Sequence, residues 1–148
     1  MIINRNLIKL DMTAADKYDA VAQMAGLAKA DSRLEDMELF CEKVKERESQ
    51  VSTDMGFGIA IPHGKTDAVT EPFVALARLV RPIVWNEEEG STIDLIFMLG
   101  SPENSESNIH LVIMSELARH LMDNQFLEDI RTAGQPEQIL HYFKQMGE

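Results

Sequence analysis

The sequence predicts an α/β domain of three layers, with helices on both faces of a mixed sheet of about four or five strands. Three observations point there. The elements run as one strand, two helices, several strands and then three helices, which is not the strict alternation of an all-parallel sheet. Two segments, Phe73–Val80 (FVALARLV) and Ile93–Leu99 (IDLIFML), are apolar at nearly every position, as central strands covered on both faces must be. The helical segments carry apolar stripes that need a partner face to bury them. At 148 residues and 45% hydrophobic, the chain fills one core and is too short for two ordinary domains, so 1–148 is expected to be a single domain.

In chain order, Leu7–Leu10 is a short first strand. From about Asp16 to Lys29, the residues Val21, Met24, Ala25 and Ala28 recur at i, i+3, i+4 and i+7, the spacing of a helix with one buried face. Asp31-Ser32-Arg33 breaks it. A second helix from about Asp36 to Glu48 repeats the pattern with Met37, Phe40, Cys41 and Val44, and Cys41 on that stripe reads as a packed thiol. Ser49–Phe57 is small and polar, a loop leading into a short strand of the three apolar residues Ile59-Ala60-Ile61. Lys65–Pro72 is loop-like, and the two apolar strands follow, with Ile83–Trp85 as a further short strand and Asn86–Gly90 as an acidic turn. The turn-rich stretch Gly100–Asn108 precedes a helix from about Ile109 to Met122, whose stripe is Leu111, Met114, Ala118 and Leu121. Asn124 caps a helix to Ala133, Gly134 ends it, and Pro136 opens a last helix to about Met146.

Candidate chemistry gathers at Gly58-Ile59-Ala60-Ile61-Pro62-His63-Gly64. Pro62 cannot donate to a ladder and ends the strand, and Gly64 lets the backbone turn away at once. His63 therefore stands at a strand's end, where α/β scaffolds present reactive groups, and imidazole can act as a neutral nucleophile at about pH 7. A structural histidine in a turn fits the same local physics. Arg47 continues the second helix's stripe. It reads either as a snorkelling or ion-paired cation at a helix C-terminus, or as an anion clamp whose fork grips two phosphate oxygens. Ser52, Thr53 and the amides before Gly58 can donate to an anion or stabilise a turn. His110 falls in a helix's first turn, where the N–H groups and the dipole favour an anion. His120 and His141 read as surface or packing residues.

Other chemistries lack their signals. The formal charge is −11 with Lys and Arg dispersed, so the basic face that nucleic acid requires is missing. Four histidines and one cysteine show no ligand spacing for a metal, and neither a P-loop nor a G-x-S-x-G turn is present. One cysteine makes no intrachain disulfide, no secretory signal opens the chain, and no run approaches the ~18 apolar residues of a span, so a cytoplasmic protein is expected.

Glu48 stands seven positions before Met55, Gly56 follows, and Ile59-Ala60-Ile61-Pro62-His63-Gly64 closes the run. This run resembles the phosphohistidine signature of the fructose/mannitol-type IIA components of the bacterial sugar phosphotransferase system. The likeness extends from about Leu7 to the C-terminus. It implies the same α/β/α fold. It also implies that neutral His63 takes a phosphoryl group from the carrier protein HPr, holds it on Nε2 and passes it to a IIB component. The membrane permease IIC is then served indirectly, with a fructose-like sugar favoured, and no metal or organic cofactor is needed. Arg47, sixteen positions before His63, and His110, which opens a His-Leu helix, match the family's phosphoryl-site arginine and second histidine. Ser52, Thr53 and Gly58 would support that site from the preceding loop. Nδ1 of His63 is expected to donate to a carbonyl or carboxylate, leaving Nε2 free. Many relatives are fused to IIB and IIC, whereas this chain reads as the IIA domain alone, so the IIB partner is expected on a separate chain. Regulatory nitrogen-related IIA proteins share the signature, and the motif leaves transport and regulation both open.

Overall fold

The computed structural model describes residues 1–103, 108–144 and 146. The middle of the expected Gly100–Asn108 loop and residues 145, 147 and 148 lie outside the described residues. The elements are β1 (Ile8–Met12), α1 (Lys17–Ala30), α2 (Met37–Gln50), β2 (Asp54–Gly56), β3 (Ile59–Ala60), β4 (His63–Lys65), β5 (Phe73–Asn86), β6 (Ser91–Ser101), α3 (Ile109–Leu121) and α4 (Asn124–Thr132). The strands form one mixed six-stranded sheet in the order β1-β5-β6-β3-β2, with β4 also paired to β6. The β1–β5, β3–β6 and β4–β6 pairs are parallel, and the β5–β6 and β2–β3 pairs antiparallel.

Helices cover both faces. Phe40 of α2 meets Phe73 with ring centroids 5.6 Å apart, and Phe126 of α4 meets Phe97 at 6.2 Å. Phe97 pairs with Leu76, three residues along β5 from Phe73, so the two rings point to opposite faces of the pleat. The core lies in these two contacts and between them. Capping sets the helix starts: Asp16 accepts from the Asp19 N–H at 2.8 Å, Asp36 from that of Leu39 at 3.0 Å, and Asp123 from that of Gln125 at 2.9 Å. Asp123 is thus the cap that the sequence reading gave to Asn124.

The α/β sandwich is as expected, with six strands in place of four or five. The extra strands are β2, in the expected Ser49–Phe57 loop, and β4, which begins on His63 itself. Phe73–Val80 and Ile83–Trp85 are one strand, β5, whose register against β6 shifts between Arg78 and Ile83; Pro82 in that interval has no N–H to offer the ladder. The expected final helix is instead two 3₁₀ segments, Pro136–Gln138 and Leu140–Phe143. So short a segment is marginal as a helix, and it takes tighter turns that drop Ile139, Phe143 and Met146 into the core.

Two stripes also move. On α3 the buried residues are Ile113 and Leu117, while Leu111 is 65% exposed. This rotation puts His110, three residues before Ile113, on the inward side of the helix. On α2 the stripe is Phe40, Val44 and Glu48, with Met37 at the surface, and it continues into Glu48 where the pattern pointed to Arg47.

Candidate functional site

β4 runs parallel to β6, aligning His63 with Leu99, Gly64 with Gly100 and Lys65 with Ser101. His63 is half-buried at the end of the short Ile61-Pro62 link, and its Nδ1 lies 3.0 Å from the Ile61 carbonyl oxygen. A carbonyl only accepts, so Nδ1 carries the proton and the neutral ring leaves Nε2 with a free lone pair. Burial pushes His63 below the ordinary imidazole range. The Ile61 carbonyl opposes this, the Arg47 charge adds to it, and the Glu48 carboxylate opposes it.

The inward turn of α3 lays His110 against His63, with ring centroids 5.1 Å apart at 54°. His110 Nδ1 is 3.1 Å from the hydroxyl of Ser101, the fully buried last residue of β6. When that hydroxyl donates, the His110 proton resides on Nε2, where it can be offered to an anion. Burial, then the neighbouring His63 and Lys65, hold His110 down to about 4. Both imidazoles are therefore neutral near pH 7.

Gly64 lets α2 approach β4. A Cβ there would stand 3.0 Å from Phe40 Cε1 and 3.1 Å from Val44 Cγ2. The close approach carries the last turns of α2 to His63, and Lys43, Glu46, Arg47, Gln50 and Lys65 line a small cleft of about 180 Å3 with His63 and Gly64. Arg47 is half-buried and donates from Nη1 to the Val51 carbonyl at 2.7 Å, closing the end of α2. Its guanidinium has further N–H groups beyond that bond. The structure thus brings together His63, His110 and Arg47, three of the residues singled out from the sequence.

The other three have local occupations. Thr53 is buried, and both its N–H, at 3.3 Å, and its hydroxyl donate to the buried Glu48 carboxylate, which also accepts from Trp85 Nε1 at 3.3 Å. Ser52 accepts from the Asp54 N–H at 3.2 Å. Gly58 sits in the β2–β3 turn with φ 79°, where a Cβ would come within 2.6 Å of Asp94 Oδ1. Gly58 is level with Asp94, and His63 with Leu99. At ~3.3 Å per residue that is about 16 Å along the sheet, so Gly58 and the His63 ring occupy different ends of the strand path.

Sequence reasoning missed Lys65, Lys43 and Ser101. Lys65 was readable, since two residues beyond His63 in a strand is the same face. Lys43, one turn before Arg47 on α2, was readable once Arg47 was considered. Nothing local marked Ser101, whose partner His110 arrives from another element. Among the described residues, no group of three or more His, Cys, Asp or Glu is placed to hold a metal ion, and no helix is long and apolar enough to cross a membrane.

The mixed α/β sandwich thus holds one imidazole nitrogen free beside a second imidazole and a cleft lined by Lys43, Glu46, Arg47 and Lys65. The chain belongs to the family described as phosphoenolpyruvate-dependent sugar phosphotransferase system, EIIA 2, whose model matches residues 1–146. It is 38% identical over 125 residues to the PTS system fructose-specific EIIA component of Haloferax volcanii, covering 84% of this chain and 78% of that one. It is 30% identical over 140 residues to the 2-O-alpha-mannosyl-D-glycerate-specific EIIABC component of Escherichia coli, covering 94% of this chain and 21% of the relative. The chain spans about a fifth of the length of such multidomain relatives. Among solved structures, the nitrogen regulatory protein IIA-Ntr from Neisseria meningitidis superposes with a TM-score of 0.84 at 28% identity, covering 95% of each chain. The Escherichia coli mannitol IIA in complex with phosphorylated mannitol IIB superposes at 0.79 with 20% identity, covering 95% of each, and shares the fold.

Proposed function

We propose that the chain is a phosphocarrier whose acceptor atom is Nε2 of His63. The observation that carries this is the Nδ1 contact to the Ile61 carbonyl, which commits the proton to Nδ1 and frees Nε2 beside His110 and Arg47. The donor is the phosphohistidine of HPr: its P–N bond breaks as a P–N bond to His63 Nε2 forms, and a second exchange of the same kind passes the group to a IIB component. The protein acts as a transferase without metal or organic cofactor, in the cytoplasm, and IIB and the membrane permease IIC complete uptake of a fructose-like sugar. Phosphoryl transfer asks mainly for alignment and charge stabilisation. His110 Nε2–H and the free N–H groups of Arg47 face the transferring oxygens, Lys65 adds positive field while Lys43 pairs with Glu46 at 3.8 Å, and Thr53, Ser52 and Gly58 hold the chain leading to β3.

A regulatory role is the second reading, favoured by the similarity to the nitrogen regulatory IIA-Ntr. In that reading the state of His63 sets the binding of another protein without sugar transport. The sugar-type relatives favour transport. The test is labelling from phosphoenolpyruvate through the upstream carriers, with His63→Ala as the variant. The variant is expected to stay folded and take no label; a folded variant labelled to the wild-type level refutes the assignment. Discharge of the labelled chain by a sugar-type IIB separates transport from regulation.

A further inference from the structure

The turn joining β2 to β3 is built against the preferences of its own residue. Gly56 pairs with Ile59, leaving Phe57 and Gly58 as a two-residue connection, with φ 57° at Phe57 and 79° at Gly58. Positive φ at both central positions is the requirement of a type I′ hairpin, which favours Asn-Gly or Asp-Gly; a bulky side chain there is strained. The ring gains no packing in return, because Phe57 is 87% exposed. Its backbone is nevertheless held firmly: Arg131 of α4 donates to the Phe57 carbonyl at 2.7 Å while gripping Asp94 through two bonds of 2.8 and 3.1 Å. The fold thus pins the tip from behind and leaves the ring in water, the arrangement of a preorganised anchor.

The surroundings say what the anchor fits. Phe57 stands on an open groove with exposed Met55 and Val51, and the β5–β6 turn supplies Glu87, Glu88 and Glu89 to the same groove. Lys17 is the one cation among the groove's described lining residues. The geometry points to a docking surface for a protein segment that combines an apolar pocket or side chain for Phe57 with lysines or arginines facing the Glu87–Glu89 turn. A second copy of this chain is a poor occupant, since a two-fold contact at Phe57 sets one glutamate turn against another. An anionic membrane is repelled for the same reason. The tip is about 16 Å along the sheet from His63, and the groove meets the His63 cleft only at its far end, where Gln50 lines both.

The test titrates isotope-labelled chain with a helical leucine–lysine peptide and with its leucine–glutamate counterpart, following amide shifts. Shifts are expected at residues 51–58 and 86–92 with the lysine peptide alone, weakened at least tenfold by F57N and by E87Q/E88Q/E89Q. Asn suits a type I′ turn, so F57N is expected to melt no lower than wild type and to keep its labelling on His63. Shifts centred on His63 and α3, equal binding of the glutamate peptide, or F57N affinity within twofold of wild type would overturn the surface. A lower melting temperature for F57N would make the ring structural, loss of His63 labelling would assign the tip to the transfer face, and a chain dimer abolished by F57N would make the occupant a second copy. Each of those overturns the proposal.

Discussion

Replacing His110 by glutamine should flatten part of the protein's acid sensitivity. In the folded chain His110 is held down to about 4 by burial, His63 and Lys65, against 6.5 for an ordinary imidazole. The folded state therefore binds fewer protons than the unfolded one between these values. Stability is full above the unfolded value and is lost as pH falls toward the folded one. A gap of ~2.5 units corresponds to about 3.4 kcal/mol for a fully shielded group. His110 is only half-buried, so solvent screening reduces the total to on the order of 1–2 kcal/mol. Between about pH 7 and about pH 5 this leaves ~1 kcal/mol, or a fall of about 2–4 °C in Tm for a chain of this size. His63, also lowered, adds a loss of the same sign. Asp31 and Asp129 are held below 3.8, so their contributions lie in more acid solution. Glutamine keeps a hydrogen-bonding partner for Ser101 without a titrating proton. Thermal melts at the two pH values should show His110→Gln losing roughly half as much stability as wild type. An equal loss in both proteins, or a wild type that gains stability on acidification, would refute the argument.

Arg47→Lys keeps a charge in the His63 cleft and loses the planar fork, so phosphotransfer should slow by about tenfold or more, ~1.4 kcal/mol in the barrier. Stopped-flow transfer should show that defect at low and moderate salt alike, because a partly buried contact is weakly screened. Wild-type kinetics would return Arg47 to its Val51 cap alone. Gly100→Ala would place a Cβ 2.3 Å from Phe73 Cε1. Overpacking of that kind costs about 1–3 kcal/mol, to be read as a lower urea midpoint. An unchanged midpoint would show that Phe73 has room to move.

Legibility in the sequence followed how local each cause was. The central strands declared themselves because β5 and β6 are buried on both faces, and α1 because its stripe is regular. His63 was legible through a contiguous run, and its Nδ1 partner proved to be a carbonyl only two residues away. The α3 face was misread because Leu111 is apolar and exposed beside the site, while Ile113 and Leu117 carry the packing. Glu48 was seen as part of a signature and not as a buried group, because its three donor bonds come from Thr53 and from Trp85 on another element. β2 and β4 were missed because three residues hold no readable period. Their pairing is set by β3 and β6, which reach them only in the folded chain.

Adjacent residues Arg47 and Glu48 divide the electrostatics of the site. Glu48 turns inward, where its carboxylate is satisfied by Thr53 and Trp85, while Arg47 and Lys65 line the cleft at His63 together with the Lys43–Glu46 ion pair. A chain of formal charge −11 thus keeps a small positive field where a phosphoryl group would sit. Full protonation of the imidazoles would strengthen that field but would also remove the free lone pair on His63 Nε2. Burial resolves the conflict by holding His63 and His110 neutral and leaving the positive charge to Arg47 and Lys65. In the proposed carrier, a neutral donor on His110 would have a further consequence. It would stabilise the oxygens of the transferring group without adding a further ionic bond to those of Arg47 and Lys65.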